Sequence, residues 1–268
     1  LDDAIRGEFR ESLYDESRLS ALETRMAHYL SASAVSAKNL AEEKDAIKTL
    51  IGDISHQTKT PIANLLLYAQ LLEEQDLPPE SREYVSALEH QAEKLRFLID
   101  ALVKTSRLES GVLAMTPKRH GIQQLLDAAS AQAAPGAEAK AITLTVEPTD
   151  LTARFDPKWT AEALYNLVDN AVKYTPAGGA VTLRAVGYEL FCRVDVTDTG
   201  PGIPESEQAR IFQRFYRPPS ASEAEGVGIG LYLARQIAAG QGGYLKVSSR
   251  PGEGSTFSLF LPRAEERT

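Results

Sequence analysis

Three residues that could hold a metal–polyphosphate recur on one predicted helix. Asn166, Asn170 and Lys173 are spaced i, i+4 and i+7, which places their side chains on one helix face. Carboxamide oxygens suit Mg²⁺, which usually keeps water and substrate phosphates in its shell. The same spacing is typical of an ordinary polar helix face, and for this cluster taken alone that simpler interpretation is favoured.

Two glycine-rich segments could contact the rest of a nucleotide. Asp198, Gly200 and Gly202 directly follow an apolar strand, where a carboxylate can accept a hydrogen bond from an amine such as that of adenine. Further on, Gly226-Val-Gly228-Ile-Gly230-Leu231 opens a predicted helix, whose free N–H groups and positive dipole end could bind phosphate. Each segment by itself is also explained by a tight turn.

A basic and aromatic segment lies between the two glycine-rich segments. Residues 211–217 include Phe212, Phe215 and Arg217, and a stretch rich in Pro, Ser and Glu follows them. This composition is typical of a mobile cover that brings basic groups towards an anion.

His56 is the candidate nucleophile. It lies two residues past Ile54 in an apolar series with helical spacing, so its imidazole should face solvent, where a ring nitrogen could attack a γ-phosphate. Pro61 lacks an N–H and would leave the Gln57 carbonyl without a donor, which predicts a bend near His56. An isolated surface histidine is inert in most proteins. The other histidines have no metal-ligand spacing and are interpreted as structural or solvated: His28, His90 and His120.

The order of these motifs resembles that of the sensor histidine kinases. The series Asn166…Asn170-Ala-x-Lys173-Tyr174, Asp198-x-Gly-x-Gly, Phe212-x-x-Phe215 and Gly226-x-Gly-x-Gly-Leu is similar to the family's N, G1, F and G2 boxes. The segment Ser55-His56-Gln57-Thr58-Lys59-Thr60-Pro61 is similar to its H box. The resemblance covers roughly residues 40–262 and implies a Bergerat-type α/β sandwich for ATP, shared with gyrase, Hsp90 and MutL ATPases.

The resemblance also implies a role for each matching residue. Asn170 would coordinate Mg²⁺, Lys173 and Arg217 would contact phosphates, Tyr174 would flank the nucleotide and Asp198 would bind the adenine amine. The other residues of the implied ATP site are Asn166, Gly200, Gly202, Phe212, Phe215, Gly226, Gly228, Gly230, Leu231 and Thr256.

In the H box, the resemblance implies that His56 accepts a phosphoryl group from ATP and passes it to an aspartate of a separate response regulator. Thr60 matches the position that holds water for dephosphorylating the regulator, so a phosphatase activity is also expected. Gln57 departs from the family, which mostly has Glu or Asp there. Because glutamine can orient the imidazole but cannot accept its proton, we expect a reduced intrinsic rate of autophosphorylation.

Two other functions stay open from the sequence. Asn166 occupies the position where ATP-hydrolysing relatives carry a glutamate general base, and an amide cannot take a proton from water, which opposes a hydrolytic ATPase of the gyrase, Hsp90 or MutL kind. A non-catalytic dimeric adaptor would be favoured if the nucleotide motifs were broken, and they are intact.

The elements that must position these residues change character near residue 111. Only 2 of the 18 glycines and 3 of the 14 prolines precede it, which marks a domain boundary. We expect a helical linker or signalling segment over 1–38, with the small-residue stretch 31–37 separating its helix from the next. A dimerisation and phosphotransfer hairpin should follow over 39–110, and an ATP-binding catalytic domain over 111–268.

Helical periodicity predicts the hairpin. Apolar residues recur at spacings of three or four on both sides of a polar turn at 73–81. One such stripe is too narrow for a self-sufficient core, so we expect a homodimer with a four-helix bundle. The stripe consists of Ile47, Leu50, Ile54, Thr58, Pro61, Leu65, Tyr68 and Leu72, and then of Tyr84, Leu88, Gln91, Leu95, Leu98 and Leu102.

The last part of the chain has the pattern of an α/β domain. Short alternating segments predict strands, and two longer patterns predict helices at 157–173 and 231–239. The predicted strands are 142–146, 151–155, 181–186, 190–196, 244–248 and 256–261. The expected fold class is therefore α plus α/β, a dimerising helical hairpin followed by a Bergerat-type sandwich.

Composition and charge exclude some classes of function. With 29 basic and 37 acidic side chains the net charge is −8, which argues against nucleic acid as the main partner. No apolar run approaches the length of about 18 residues that a membrane span needs. Since the chain begins at Leu1, we expect it to be the cytoplasmic part of a longer bacterial plasma-membrane protein whose sensing segment precedes it.

Overall fold

The computed structural model describes residues 18–109, 115–218 and 227–263. The chain divides into two compact units between Glu93 and Lys94. Among the described residues, no helix has both the length and the apolarity that crossing a membrane requires.

The first unit is a helical hairpin. Helix α1 is Arg18–Glu73 and helix α2 is Pro79–Glu109, so the connecting turn lies where it was predicted. The predicted separation at 31–37 is wrong, because α1 runs unbroken through that stretch. The stretch contains alanine, serine and valine but neither glycine nor proline, and alanine is the strongest helix former.

The hairpin has two apolar stripes where the sequence predicted one. Ile62, Leu66 and Ala69 on α1, with Val85 and Ala92 on α2, are buried within the chain. Most of the predicted stripe is instead exposed in the single chain: Ile47, Leu50, Ile54, Leu65, Tyr68, Leu72, Tyr84 and Leu88. Many exposed apolar side chains along one helical pair are typical of an interface with another molecule.

The second unit is an α/β sandwich, as predicted. Its five-stranded sheet has the order β2-β4-β5-β7-β6, in which β2 and β4 are parallel and the other neighbours are antiparallel. A separate two-stranded ribbon pairs β1 with β3. The strands are β1 Lys118–Gly121, β2 Thr143–Val146, β3 Thr152–Phe155, β4 Ala180–Gly187, β5 Phe191–Asp198, β6 Tyr244–Arg250 and β7 Gly254–Pro262.

Helices pack against the sheet to form one core. Alternate residues of the central strands, such as Val194 and Leu259, are fully buried together with the apolar faces of α3, α4 and α6. The helices are α3 Ile122–Ala139, α4 Pro157–Tyr174, α5 Glu205–Gln208 and α6 Gly230–Gly240, with a 3-10 turn at Arg210–Phe212 after α5. All six predicted strands and the two predicted helices of this unit are present.

The sequence did not predict α3. This helix contains Pro135 and Gly136 next to each other, and each of these residues by itself disfavours a helix. The helix forms because Ile122, Leu125 and Leu126 are buried in the core, and tertiary packing outweighs local propensity.

The last part of α2 belongs to the second unit. Leu108 packs against the core of that unit, and Lys104 Nζ lies 2.5 Å from Glu162 Oε1 on α4. The boundary between the two compact units therefore lies between residues 93 and 94, whereas the amino-acid composition changes at residue 111.

Candidate functional site

A cavity of about 360 Å³ opens in the second unit. It is lined by α4, the end of β5 and the turn after it, the loop before α6, and β7. Residues singled out from the sequence that line it are Asn166, Asn170, Lys173, Tyr174, Asp198, Gly202, Arg217, Gly228, Gly230 and Leu231.

Helix α4 forms one wall of the cavity. Its N-terminal cap and its buried apolar face fix how the helix lies. Asp156 caps the helix by accepting hydrogen bonds from Lys158 N at 3.1 Å and Trp159 N at 3.3 Å, and Pro157 occupies the first turn. The apolar face, which includes Leu164 and Leu167, is fully buried. The polar face is therefore directed away from the core and towards the cavity.

Asn166 is held by its own helix. Its Nδ2 donates to the carbonyl oxygen of Glu162 at 2.8 Å. Its Oδ1 faces Gly230 at the start of α6, where a Cβ atom would lie 2.7 Å away. The amide therefore links α4 to the glycine-rich loop and offers no group able to take a proton.

Lys173 is paired with a residue that the sequence analysis missed. Its Nζ lies 2.6 Å from Asp169 Oδ2, and Asp169 also lines the cavity. The i, i+4 spacing of an acidic and a basic residue on a predicted helix could have revealed the pair. The pair holds the lysine ammonium at the cavity wall.

Asp198 is buried, and its two carboxylate oxygens differ in their hydrogen bonding. Its Oδ1 accepts hydrogen bonds from Gly200 N at 2.8 Å and Ser255 N at 3.2 Å. Burial raises the pKa of this carboxyl above its ordinary value, and the two backbone hydrogen bonds partly offset that rise. Within the described ranges no protein donor binds Oδ2, so this oxygen can accept a hydrogen bond from a ligand in the cavity.

Two glycines of the cavity wall could not carry a side chain. Gly202 has φ +74°, and a Cβ atom there would lie 2.0 Å from the carbonyl oxygen of Arg250. Gly228 has φ +76°, and its Cβ atom would lie 2.7 Å from the carbonyl oxygen of Tyr216. At both points the backbone itself forms the wall.

The two phenylalanines that the resemblance implies for the ATP site lie outside the cavity lining. Phe212 is buried in the core, and Phe215 is 54% exposed with φ 59°; neither lines the cavity. Phe215 N donates to Gly228 O at 2.9 Å, which ties this segment to the glycine-rich loop. Tyr216 lines the cavity instead, with its hydroxyl bound to Glu207 and the Arg210 guanidinium 4.4 Å from its ring centre.

Thr256 and Gly200 also lie outside the cavity lining. The Thr256 hydroxyl is 3.1 Å from that of Thr197, on the other face of the sheet, because successive residues of a strand point to opposite faces. Its neighbours Ser255 and Phe257 line the cavity. Gly226 lies outside the described residues.

The lining includes further residues to which the sequence analysis gave no individual role. Phe97, in the part of α2 that belongs to the second unit, is one of them. Ile203, Ile211, Val227 and Ile229 add an apolar surface of the kind that binds a flat ring.

The H-box residues lie on α1 in the first unit. Gln57 and Thr60 are exposed, and the side chain of His56 lies outside the described part of the chain. The helix continues through Pro61, and Thr58 Oγ1 donates to Ile54 O at 2.6 Å. The bend near His56 stays a prediction.

The donor set fits a metal that arrives with a polyphosphate. The described ranges contain no cluster of three His, Cys, Asp or Glu side chains that could hold a metal ion. The Asn170 amide and the Asp169 carboxylate nevertheless bring oxygen atoms to the cavity wall. Mg²⁺ needs few protein ligands because water and phosphate complete its shell.

Two families match the chain. Residues 46–111 match the His Kinase A (phospho-acceptor) domain, and residues 155–265 match the histidine kinase-, DNA gyrase B- and HSP90-like ATPase. The first match contains His56, and the second contains α4 and the whole glycine-rich part of the cavity.

Curated relatives are sensor proteins. The chain is 34% identical over 230 residues to the sensor protein DivL of Caulobacter vibrioides, covering 85% of this chain and 29% of DivL. It is 27% identical over 263 residues to the sensor-like histidine kinase SenX3 of Mycolicibacterium smegmatis, covering 97% of this chain and 66% of SenX3. The chain thus spans less than a third of the first of these relatives.

Solved structures share the fold. Full-length ShkA in complex with AMPPNP superposes with a TM-score of 0.69 at 29% identity, over 82% of this chain and 47% of ShkA. The histidine kinase ThkA in complex with the response regulator protein TrrA superposes with a TM-score of 0.61 at 20% identity, over 88% of this chain and 67% of ThkA.

Proposed function

This chain belongs to the sensor histidine kinase family, and from that premise we propose that it transfers the γ-phosphoryl group of ATP to His56 and then to an aspartate of a response regulator. The observation that carries the proposal is that ten residues of the expected ATP site line one cavity. The same chain carries the His56 hairpin.

Different residues of the cavity lining suit different parts of ATP. Asp198 offers a carboxylate oxygen to the adenine amine, and the closely packed backbone at Gly202 lets the ring approach. Lys173, Arg217 and the N-terminus of α6 bring positive charge to the phosphates. Tyr174 flanks the nucleotide.

Asn170 would hold Mg²⁺ through its amide oxygen, with Asp169 beside it. When bound, the ion would neutralise phosphate charge as the transferred group leaves ADP. The side chain of Lys173 would add to this neutralisation, and its pairing with Asp169 keeps it at the wall before the nucleotide binds.

Transfer to His56 requires a deprotonated ring nitrogen. That nitrogen forms a bond to the γ-phosphorus, the bond from this phosphorus to the bridging oxygen of ADP breaks, and the imidazole proton leaves. Gln57 can orient the ring but not accept the proton, so water, another side chain or a phosphate oxygen must accept it. We propose that Thr60, exposed near His56, holds water when the regulator is dephosphorylated.

A hydrolytic ATPase is the second candidate, and Asn166 opposes it. The Asn166 amide donates to the Glu162 carbonyl and cannot remove a proton from water. Bound ATP should therefore persist until His56 reaches it.

The exposed apolar stripe supports a homodimer. Residues such as Leu50 and Leu88 would be covered by the same stripe of a second copy, in a four-helix bundle. A receiver domain of a response regulator would then meet His56 on the outside of that bundle. We further propose that the chain acts on the cytoplasmic side of a bacterial plasma membrane, where ATP is available.

The test is incubation with γ-labelled ATP and Mg²⁺. The proposal predicts a labelled protein whose phosphate is lost in acid but retained in alkali, as expected of a phosphorus–nitrogen bond. His56→Gln should abolish the label while still binding ATP, because the cavity lies in the other unit.

Two results would contradict the proposal. Label that persists in His56→Gln would exclude His56 as the acceptor. Release of free phosphate with no labelled protein would favour the hydrolytic ATPase.

A further inference from the structure

We propose that Lys140, which does not line the cavity, is a positioning residue that sets the adenine end of the site through the last turn of α4. This inference rests on the proposed use of ATP and deepens it. It concerns nucleotide binding and selectivity, which can be measured whether or not His56 is phosphorylated.

Lys140 closes the end of α4. It lies at the C-terminus of α3, and its Nζ donates to the carbonyl oxygens of Val172 at 2.8 Å, Lys173 at 2.8 Å and Thr175 at 2.7 Å. An ammonium group has three protons, so all three are used. The last carbonyls of a helix lack partners within the helix and carry the negative end of its dipole, which a cation stabilises.

A second contact fixes the Lys140 backbone to the same region. Gly178 N, in the loop after α4, donates to Lys140 O at 3.0 Å. Lys140 therefore joins the ends of α3 and α4 through both its side chain and its backbone. The last turn of α4 cannot shift without breaking several of these hydrogen bonds.

The last turn of α4, which Lys140 binds, supports Asp198, the residue expected to bind the adenine amine. A Cβ atom at Gly200 would lie 3.2 Å from the carbonyl oxygen of Tyr174, so the turn after β5 packs directly against the end of α4. Gly200 N in turn donates to Asp198 Oδ1 at 2.8 Å. Lys140 thus binds the residues on either side of Tyr174, Tyr174 packs against Gly200, and Gly200 donates to the Asp198 carboxylate.

The preference for ATP over GTP should change when these contacts are lost. Adenine presents an amine to Asp198, whereas guanine presents a carbonyl oxygen at the same ring position, which a carboxylate repels. The ratio of ATP to GTP affinity therefore depends on where Asp198 lies. A loss of folding stability alone would change the folded fraction and leave this ratio unchanged in the protein that is folded.

The experiment compares Lys140→Met and Lys140→Gln with the wild type by calorimetric titration with ATP and with GTP. It is done on the whole chain, below the unfolding transition of each variant. Lys118→Met is the control, because Lys118 is an exposed lysine of β1 outside the cavity. We expect the Lys140 variants to bind ATP about five- to tenfold more weakly, GTP to change less, and the ATP-to-GTP ratio to fall at least about threefold.

The outcomes separate this inference from the function on which it rests. A wild-type ATP-to-GTP ratio in whichever Lys140 variant folds overturns the positioning role while the wild type still binds ATP. An equal loss in Lys118→Met also overturns it. A wild type that binds no ATP overturns both the proposed function and this inference.

Discussion

At the scale of single residues, Asp198 shows how a binding group can oppose stability. The carboxylate is buried, and desolvation raises its pKa even though two backbone N–H groups bind Oδ1. A carboxyl whose folded-state pKa is raised contributes stability below its unfolded pKa and loses it as the pH rises through the folded pKa. The ionised form of the carboxyl is therefore less favourable in the fold than the protonated form, and a bound adenine amine would offset that cost.

Asp198→Asn should separate binding from stability. The amide oxygen can still accept from Gly200 and Ser255, but the amide NH₂ would meet the adenine amine as donor against donor. We expect ATP to bind at least about tenfold more weakly, while the thermal midpoint at pH 7 stays the same or rises. Calorimetric titration and thermal unfolding measure the two effects.

The same carboxyl predicts a pH dependence for the wild type. ATP affinity should fall as the pH drops through the Asp198 pKa, beginning at a higher pH than for an ordinary aspartate because that pKa is raised. Asp198→Asn should lack this dependence. Unchanged ATP affinity in the variant, or a lower thermal midpoint at pH 7, would contradict the role of Asp198.

At the scale of elements, the hairpin leaves a stripe that its own chain does not cover. Leu88 on α2 is 64% exposed, and the apolar residues Ile47, Leu50 and Ile54 on α1 are exposed as well. Burying such side chains against a second copy would contribute about 1.5–3 kcal/mol each, which explains why a long helical pair can be stable at all.

Leu88→Asp should convert the proposed dimer to a monomer. A carboxylate buried at the centre of the bundle would lose its hydration without a partner. Light scattering coupled to size exclusion measures the mass. Leu190→Asp is the matched control, because Leu190 is a leucine of the second unit that is 72% exposed, and this variant should stay dimeric. A dimeric Leu88→Asp, or a wild type that is already monomeric, would contradict the proposed bundle.

The elements also show how far the sequence predicts the structure. The strands of the sheet were predictable because β4, β5 and β7 alternate buried and accessible residues with a period of two. Helix α3 was not, since Pro135 and Gly136 hide a face that only the assembled core stabilises. The stretch 31–37 does not interrupt α1 because its alanines are strong helix formers and it contains neither glycine nor proline.

Some residues of the site were likewise predictable from the sequence, and others were not. Asn166, Asn170, Lys173 and Asp198 were found because motif spacing fixes their direction on a helix or at a strand end. The position of Thr256 and Phe215 outside the cavity lining was not predictable, because a motif match does not say which face of a strand or loop a side chain takes. Tyr216 and Phe97 reach the cavity only through tertiary packing, which no local pattern encodes.

At the scale of the whole molecule, the chain places its nucleotide cavity in one compact unit and His56 in the other. The net charge of −8 is compatible with polyphosphate binding because a few local cations suffice at the cavity. Ligand binding to the second unit should also stabilise it, since ATP binds the folded form alone.

The reactivity of Cys192 can measure how much ATP binding stabilises the second unit. It is the chain's one cysteine and lies buried on β5, and burial raises its pKa to about 11. Iodoacetamide should therefore react slowly with the native protein and quickly in denaturant. ATP with Mg²⁺ at about one hundred times its dissociation constant should slow the native reaction by up to about a hundredfold.

The control for this probe is Asp198→Asn, in which the same ATP concentration should protect Cys192 far less. Equal protection in both proteins would mean that ATP acts elsewhere. Rapid native labelling would mean that Cys192 is not held in a closed core.

The most direct test of the account is to locate the phosphate after incubation with ATP and Mg²⁺, by fragmenting the protein at neutral or alkaline pH and sequencing the phosphopeptides. The chain has four histidines, so His28, His90 and His120 serve as internal controls. We expect phosphate on His56 and on no other residue. Phosphate on another histidine or on a hydroxyl side chain, or none on a protein that binds ATP, would contradict it.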